Sequence, residues 1–343
     1  MKAAVFKEVG KPLVVEQVDD PRPERSELVL KVGFCGICGT DLHATREGLT
    51  TACCGQILGH EYVGEIVEVG PEAEGGWQPG DRVCAMPFIA CGNCLPCAAG
   101  RFFECANKKV SGVDDPGGFA EYVTTGCRET LLLPDALALE TAALVEPLAV
   151  GIHAVRVAGV RAGERVMIIG AGPIGLTTAL WSRFFGARDV VVSEIAATRA
   201  QLATQMGATA VIHPEPGEAA ETLLARYMDA AGGPPDVIFE CVGAPGLLQH
   251  CIEMASYGSR IVPVGVCEQP DSIMPFFGLV KELRIQFAMA YNKDDFETCV
   301  AMLAEGRIDV SPMVTDIVSL EELPAAFEAL RTPGAQCKVL TRF

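Results

Sequence analysis

Apolar positions fall along this chain in two rhythms, and the change between them lies at about residue 153. Before it, short apolar or alternating runs are cut by Gly and Pro. ELVLKVGFCGIC and HEYVGEIVEVG have the length and alternation of strands, and PGDRVCAMP follows a turn signal. An all-β domain of irregular sheet is expected there. After it, short apolar runs alternate with helix-length segments: RVMIIG with PIGLTTALWSRFFG, DVVVSE with AATRAQLATQMG, AVIHP with ETLLARYMDAAG, DVIFECVG with LLQHCIEMA, then RIVPVGV and IQFAMAY. Strand and helix in alternation predict a doubly wound parallel sheet, so the fold class is α/β. DDFETCVAMLAEG, near the end, is expected to be a helix that packs back on the first domain.

Length and composition sharpen this picture in three ways. A chain of 343 residues, half of them apolar, is ample for a core and implies two domains. A net charge of -17, with no run of Lys or Arg, argues against nucleic acid as a partner. No uninterrupted apolar stretch of about 18 residues occurs, and MKAAVFKEVGKPLVVEQ lacks the pattern of a signal peptide. A cytoplasmic protein without a membrane partner is expected. Fifteen cysteines is an odd number, and without an export signal it favours reduced thiols and metal ligands over disulfides. Cys35, Cys53, Cys54, Cys84, Cys127, Cys241, Cys251, Cys267, Cys299 and Cys337 are scattered and are read as small buried hydrophobes.

Candidate chemistry begins at GAGPIG, which follows the predicted strand RVMII and opens a helix at Pro173 and Ile174. Gly170 suits the tight turn, Gly172 the close approach of a pyrophosphate, and Gly175 the packing of helix on strand. Glu194 ends the next predicted strand, nineteen residues after Gly175. An acid there accepts hydrogen bonds from a ribose 2'-hydroxyl and repels a 2'-phosphate, which favours NAD, although nearby Arg199 leaves room for NADP. Val242, Val264, Gly265 and Val266 end later strands and are expected to wall the nicotinamide half.

Metal chemistry is suggested twice. Cys91, Cys94, Cys97 and Cys105 have CxxCxxCx7C spacing, with Gly92, Pro96 and Gly100 allowing a sharp lobe. Four thiolates close a tetrahedral zinc, so such a site is structural; an iron-sulfur cluster would need an electron-transfer role that nothing else in the chain suggests. Cys38 in CGICGTDLH, His60 and Glu61 in LGHEYVG, and Glu146 in LVEPLAVGIHA together offer one thiolate, one imidazole and carboxylates, a donor set for an open zinc.

CGICGTDLH, GHEYVGEIVEVG, GDRVC, the four-cysteine lobe, GGFAEYV, EPLAVGIHAV, GAGPIG, FECVG and CKVL run in the order found in the zinc-dependent medium-chain dehydrogenases, and the chain resembles their polyol, butanediol and threonine dehydrogenase branch. That resemblance implies a GroES-like catalytic domain over residues 1–152, completed by 290–343, and a Rossmann coenzyme domain over 153–289. It implies two zinc ions per chain, with Cys38 and His60 on the catalytic one, Glu146 at the third ligand position and Glu61 as an alternate ligand. It further implies proton transfer through Thr40 and His43, a homodimer or homotetramer built partly through the coenzyme domain, and an active site between the domains. The substrate would be a small-molecule secondary alcohol or vicinal diol oxidised to a ketone, with Leu42, Phe88 and Phe119 as candidates for an apolar pocket. Sorbitol-type members carry an arginine in the strand that here reads IQFAMAYN, so a long polyol fits less well. L-Threonine or a sugar polyol remains an alternative substrate, and a non-catalytic protein that binds NAD and zinc is the alternative from another class.

Overall fold

The computed structural model describes residues 1–47, 51–332 and 334–343. They form two compact units: Met1–Glu146 with Tyr291–Phe343, and Pro147–Ala290.

The first unit is organised around the strand Glu27–Gly36. It pairs antiparallel with Lys338–Arg342, Glu61–Val69 and Tyr122–Gly126, and the sheet continues through Arg82–Ala85 and Thr130–Leu132 at one side and Val314–Ser319 at the other. Partners on both sides bury Leu28, Leu30 and Val32 almost completely, which is why this segment reads as a near-continuous apolar run. Two register shifts against Glu61–Val69, at Val29/Leu30 and Val32/Phe34, make the sheet irregular. Beyond them the register sets Gly36 opposite both Glu61 and Leu340. A Cβ on Gly36 would stand 2.0 Å from Glu61 Oε2, so only glycine leaves room for that carboxylate.

The second unit holds a six-stranded, wholly parallel sheet in the order Ala210–Ile212, Asp189–Ser193, Arg165–Ile169, Val237–Glu240, Arg260–Pro263, Arg284–Ile285. The first strand is central and the chain winds out from it in both directions, the doubly wound arrangement the alternation predicts. Val190, Val191, Val192, Val237, Ile238 and Phe239 are fully enclosed, as strands covered on both faces must be.

Several expectations need correction. The strand expected over IQFAMAY contracts to Arg284–Ile285. Gln286 and Ala288 still donate to the carbonyls of Ile261 and Pro263, but Phe287 and Met289 point outward, 70 % and 58 % exposed, where no strand covers them among the described residues. Cys53, Cys54 and Cys267 are exposed rather than buried, and Cys241 is only half-buried. Phe119 is no pocket wall: it is sealed in the core, edge-on to Phe327. Leu139–Ala158 is long and apolar enough to cross a membrane by length and composition alone, yet 67 % of its window is buried in the protein, as befits a core helix.

Candidate metal centre and dinucleotide site

Cys38 follows the end of the central strand and caps the short helix Gly39–Ala44. Its N–H donates to Asp41 Oδ2 at 2.9 Å, closing a capping box three residues long. The other oxygen of Asp41 accepts the N–H of Gly59 at 3.1 Å and lies 3.3 Å from His60 Nδ1. One buried carboxylate therefore fixes both the turn that carries Cys38 and the ring of His60, and leaves Nε2 as the ring nitrogen available to a metal. Burial disfavours a charged imidazole, but Asp41 and Cys38 outweigh it and hold His60 well above its ordinary range.

Glu61, next in the chain, is 1 % exposed. Its two oxygens each accept from Lys338 Nζ at 2.6 Å, and the same ammonium donates to Ile37 O at 3.0 Å. The donor atoms of Cys38, His60 and Glu61 all lie within 4.8 Å of one another, a thiolate, imidazole and carboxylate set that fits zinc. Thr40 Oγ1 stands 3.7 Å from Cys38 Sγ. Glu146, in the first turn of the helix Val145–Ala158, accepts from Tyr291 Oη at 2.9 Å. Burial pushes its carboxyl up to about 7; His60 opposes that rise and Glu61 adds to it, but Glu146 is not among the donor atoms that lie within 4.8 Å of one another. His43 lies in the last turn of Gly39–Ala44, half-buried and outside the cluster of donor atoms.

The four lobe cysteines converge as a second set within 4.8 Å. Cys94 and Cys97 sulfurs are 3.3 Å apart, and Cys91 and Cys97 sulfurs 3.9 Å. A zinc at 2.3 Å from each sulfur implies tetrahedral edges of about 3.8 Å, so the cage fits the ion. Gly92 and Gly100 supply left-handed turns at φ +73 and +68, and Cys94 caps the short helix Leu95–Ala98. The lobe is moored by Arg128, which bonds Gly92 O and pairs with Glu74, and by Lys293, whose N–H donates to Gly100 O at 3.1 Å.

In the second unit Gly170 turns at φ +94, and a Cβ on Gly175 would meet Gly170 O at 1.9 Å, so helix Pro173–Phe184 can pack on the turn only with glycine there. A Cβ on Gly172 would meet nothing within 4 Å. That open backbone at a helix N-terminus suits a pyrophosphate. Glu194 Oε2 accepts from Ala171 N–H at 2.7 Å and Oε1 from Ala196 N–H at 2.8 Å, which ties the second strand end to the glycine turn. Ile174 lies in that helix and Arg199 in Ala197–Gln205. Val242 packs against Gly170, where a Cβ would meet its Cγ2 at 2.6 Å. Gly243 and Gly265 pack backbone to backbone, bringing Val264, Gly265 and Val266 alongside Val242 at the same sheet edge.

Four supporting residues escaped the sequence reading. Asp41 had a signal, its capping-box spacing from Cys38. Glu240 had one too, an acid ending an apolar strand: its Oε1 accepts from Val242 and Gly243 N–H at 2.7 and 2.9 Å. Lys338 offered only a cation inside the apolar CKVL strand, and Tyr291 offered none.

Two family models match the chain: the alcohol dehydrogenase GroES-like domain over residues 24–135 and zinc-binding dehydrogenase over residues 173–305. The L-threonine 3-dehydrogenase of Pectobacterium carotovorum subsp. carotovorum is 34 % identical over 330 residues, 94 % of each chain. A zinc-binding dehydrogenase of Sinorhizobium meliloti, solved with NADP bound, superposes with a TM-score of 0.89 at 34 % identity, over 100 % of this chain and 99 % of that one. The 2R,3R-butanediol dehydrogenase of Bacillus subtilis gives 0.87 at 31 % identity, again over 100 % and 99 %.

Proposed function

The chain belongs to the zinc-dependent medium-chain alcohol dehydrogenase family, and from that premise we propose that it oxidises a secondary alcohol or vicinal diol to a ketone, with hydride transfer to NAD. The observation that carries the reading is the convergence of Cys38, His60 and Glu61 on one point, apart from a closed four-cysteine cage. Cys38 and His60 would hold the catalytic zinc, with Glu146 or Glu61 completing its ligands, and Cys91, Cys94, Cys97 and Cys105 would hold a structural one. When bound, the catalytic zinc supplies a Lewis acid that eases loss of a hydroxyl proton near neutral pH. Thr40, beside Cys38, receives that proton through its hydroxyl, and His43 passes it on. Residues 1–152 with 290–343 form the zinc-binding domain, and 153–289 bind the coenzyme through Gly170, Gly172, Pro173, Ile174 and Gly175.

Initial rates of NAD reduction with secondary alcohols, vicinal diols, sugar polyols and L-threonine test the substrate. Diols or simple secondary alcohols are expected to lead. L-Threonine, itself a secondary alcohol, is the second reading because a relative of that name is 34 % identical; a clear lead for it would replace the first.

The preference for NAD rests on Glu194. Each of its oxygens accepts one backbone N–H and keeps lone pairs for a ribose hydroxyl, while a 2'-phosphate would meet its negative charge. Glu194→Ser is expected to reduce the NAD over NADP preference in kcat/KM by about tenfold or more, equivalent to about 1.4 kcal/mol. An unchanged ratio would assign the discrimination elsewhere, a live issue given the relative solved with NADP.

A homodimer or homotetramer joined through the second unit is supported by the apolar surface of Phe276, Leu279, Phe287 and Met289, each more than half exposed. Sedimentation equilibrium at micromolar concentration should give two or four chains per particle; a monomer would contradict it.

A further inference from the structure

Tyr291 is 2 % exposed, and its hydroxyl donates a part-buried hydrogen bond to Glu146 Oε1 at 2.9 Å. The ring is gripped on two sides. Its centroid lies 5.2 Å from Phe296, in the helix Lys293–Ala304, and 5.9 Å from Phe88. Phe88 in turn lies 5.8 Å from Phe103, which sits in the four-cysteine lobe between Cys97 and Cys105. All these separations are those of packed aromatic pairs. The backbone is tied as well: Ala290 holds φ +55, a left-handed conformation uncommon without glycine, and Lys293 N–H bonds Gly100 in the lobe. A continuous line of contacts within the first unit thus runs from the lobe through Phe103, Phe88 and Tyr291 to Glu146.

We infer that Tyr291 is a positioning residue for Glu146: its hydroxyl engages Oε1, leaves Oε2 as the oxygen free to serve a zinc held by Cys38 and His60, and is kept in place by the four-cysteine lobe through Phe103 and Phe88. A carboxylate gripped by one oxygen is a one-oxygen donor of fixed direction; released, it can turn and offer both. The inference rests on the reading of Cys38 and His60 as zinc ligands. It gives the lobe a task beyond stability, because distortion of the lobe would be transmitted to the open site.

The test uses the full chain loaded with cobalt(II) in place of zinc. Subtracting the visible spectrum of the Cys38→Ser variant isolates the bands of the open site. Tyr291→Phe keeps the ring and its stacking and removes only the hydroxyl. It is expected to shift those bands and to speed release of the open-site metal to a chelator by about 10- to 100-fold, the usual effect of losing such a supporting hydrogen bond. In a Glu146→Gln background the same substitution should have little further effect, since the two changes act on one interaction. Phe103→Leu should shift the bands in the same direction as Tyr291→Phe. Unchanged bands and release in Tyr291→Phe would overturn the inference while leaving the zinc reading intact, and so would a lowered unfolding midpoint with unmoved bands. No open-site bands in the unsubstituted chain would overturn both.

Discussion

Cys38→Ala is expected to lose hydride transfer by roughly three orders of magnitude or more, because a site without its zinc forfeits several kcal/mol of transition-state stabilisation. Zinc should fall from about two ions per chain to about one, since the closed cage of four thiolates is a separate site. Binding of NAD, which depends on the second unit, should persist. The fold should survive as well. The bond from residue 38 to Asp41 uses the backbone N–H, which alanine keeps, and the loss of a helix cap costs about 1 kcal/mol. His60→Ala should behave in the same way. Turnover retained by either variant would sink the zinc reading, and an unchanged metal content would move the second ion elsewhere.

Lys338→Met is expected to destabilise the protein by about 3–5 kcal/mol, the range for removing one partner of a buried ion pair. Both partners are 1 % exposed. Burial alone would drive the lysine toward its neutral form; the Glu61 carboxylate, with Cys38 behind it, reverses that and holds Lys338 above its ordinary value. The ammonium has three protons and reaches three acceptors, the two oxygens of Glu61 and the carbonyl of Ile37, so its hydrogen bonding is saturated. Methionine would leave the buried Glu61 carboxylate without its cation. Urea denaturation gives the measurement. The double variant Glu61→Gln/Lys338→Met should recover much of the loss because neither charge remains. A cost below about 1 kcal/mol, the value of a surface pair, would show that another group neutralises Glu61.

What could be read from the chain, and what could not, divides by the separation of the partners. The four lobe cysteines and GAGPIG are legible because ligands, turn glycines and helix start lie within fifteen residues of one another. The parallel sheet is legible because strands covered on both faces carry unbroken apolar runs, as in Val190–Val192. Cys38, His60, Glu61 and Glu146 are offered as one set by their chemistry, a thiolate, an imidazole and carboxylates, and given their ligand places by family resemblance; their spacing alone does not bring them together. Lys338 and Tyr291 act on partners 277 and 145 positions away, and nothing local distinguishes them from an ordinary strand lysine and core aromatic. The overlong strand over IQFAMAY fails for the opposite reason. Its alternation is real, but a strand needs a neighbour, and only its first residue, Ile285, is paired in register, together with Arg284 before it.

The arrangement of the first unit also bears on how the protein is made. Its central strand Glu27–Gly36 and the charge on Glu61 find their partners in Lys338–Arg342, the last strand of the chain, whereas Pro147–Ala290 is uninterrupted. During translation at about 5–20 residues per second, the first 146 residues therefore wait roughly 10–40 s with an open strand edge and a carboxylate lacking its cation. The later-made segment can complete its own sheet first. Nascent chains arrested before residue 338 would then expose the unfinished first unit to chaperones and proteases, while Pro147–Ala290 could already be folded.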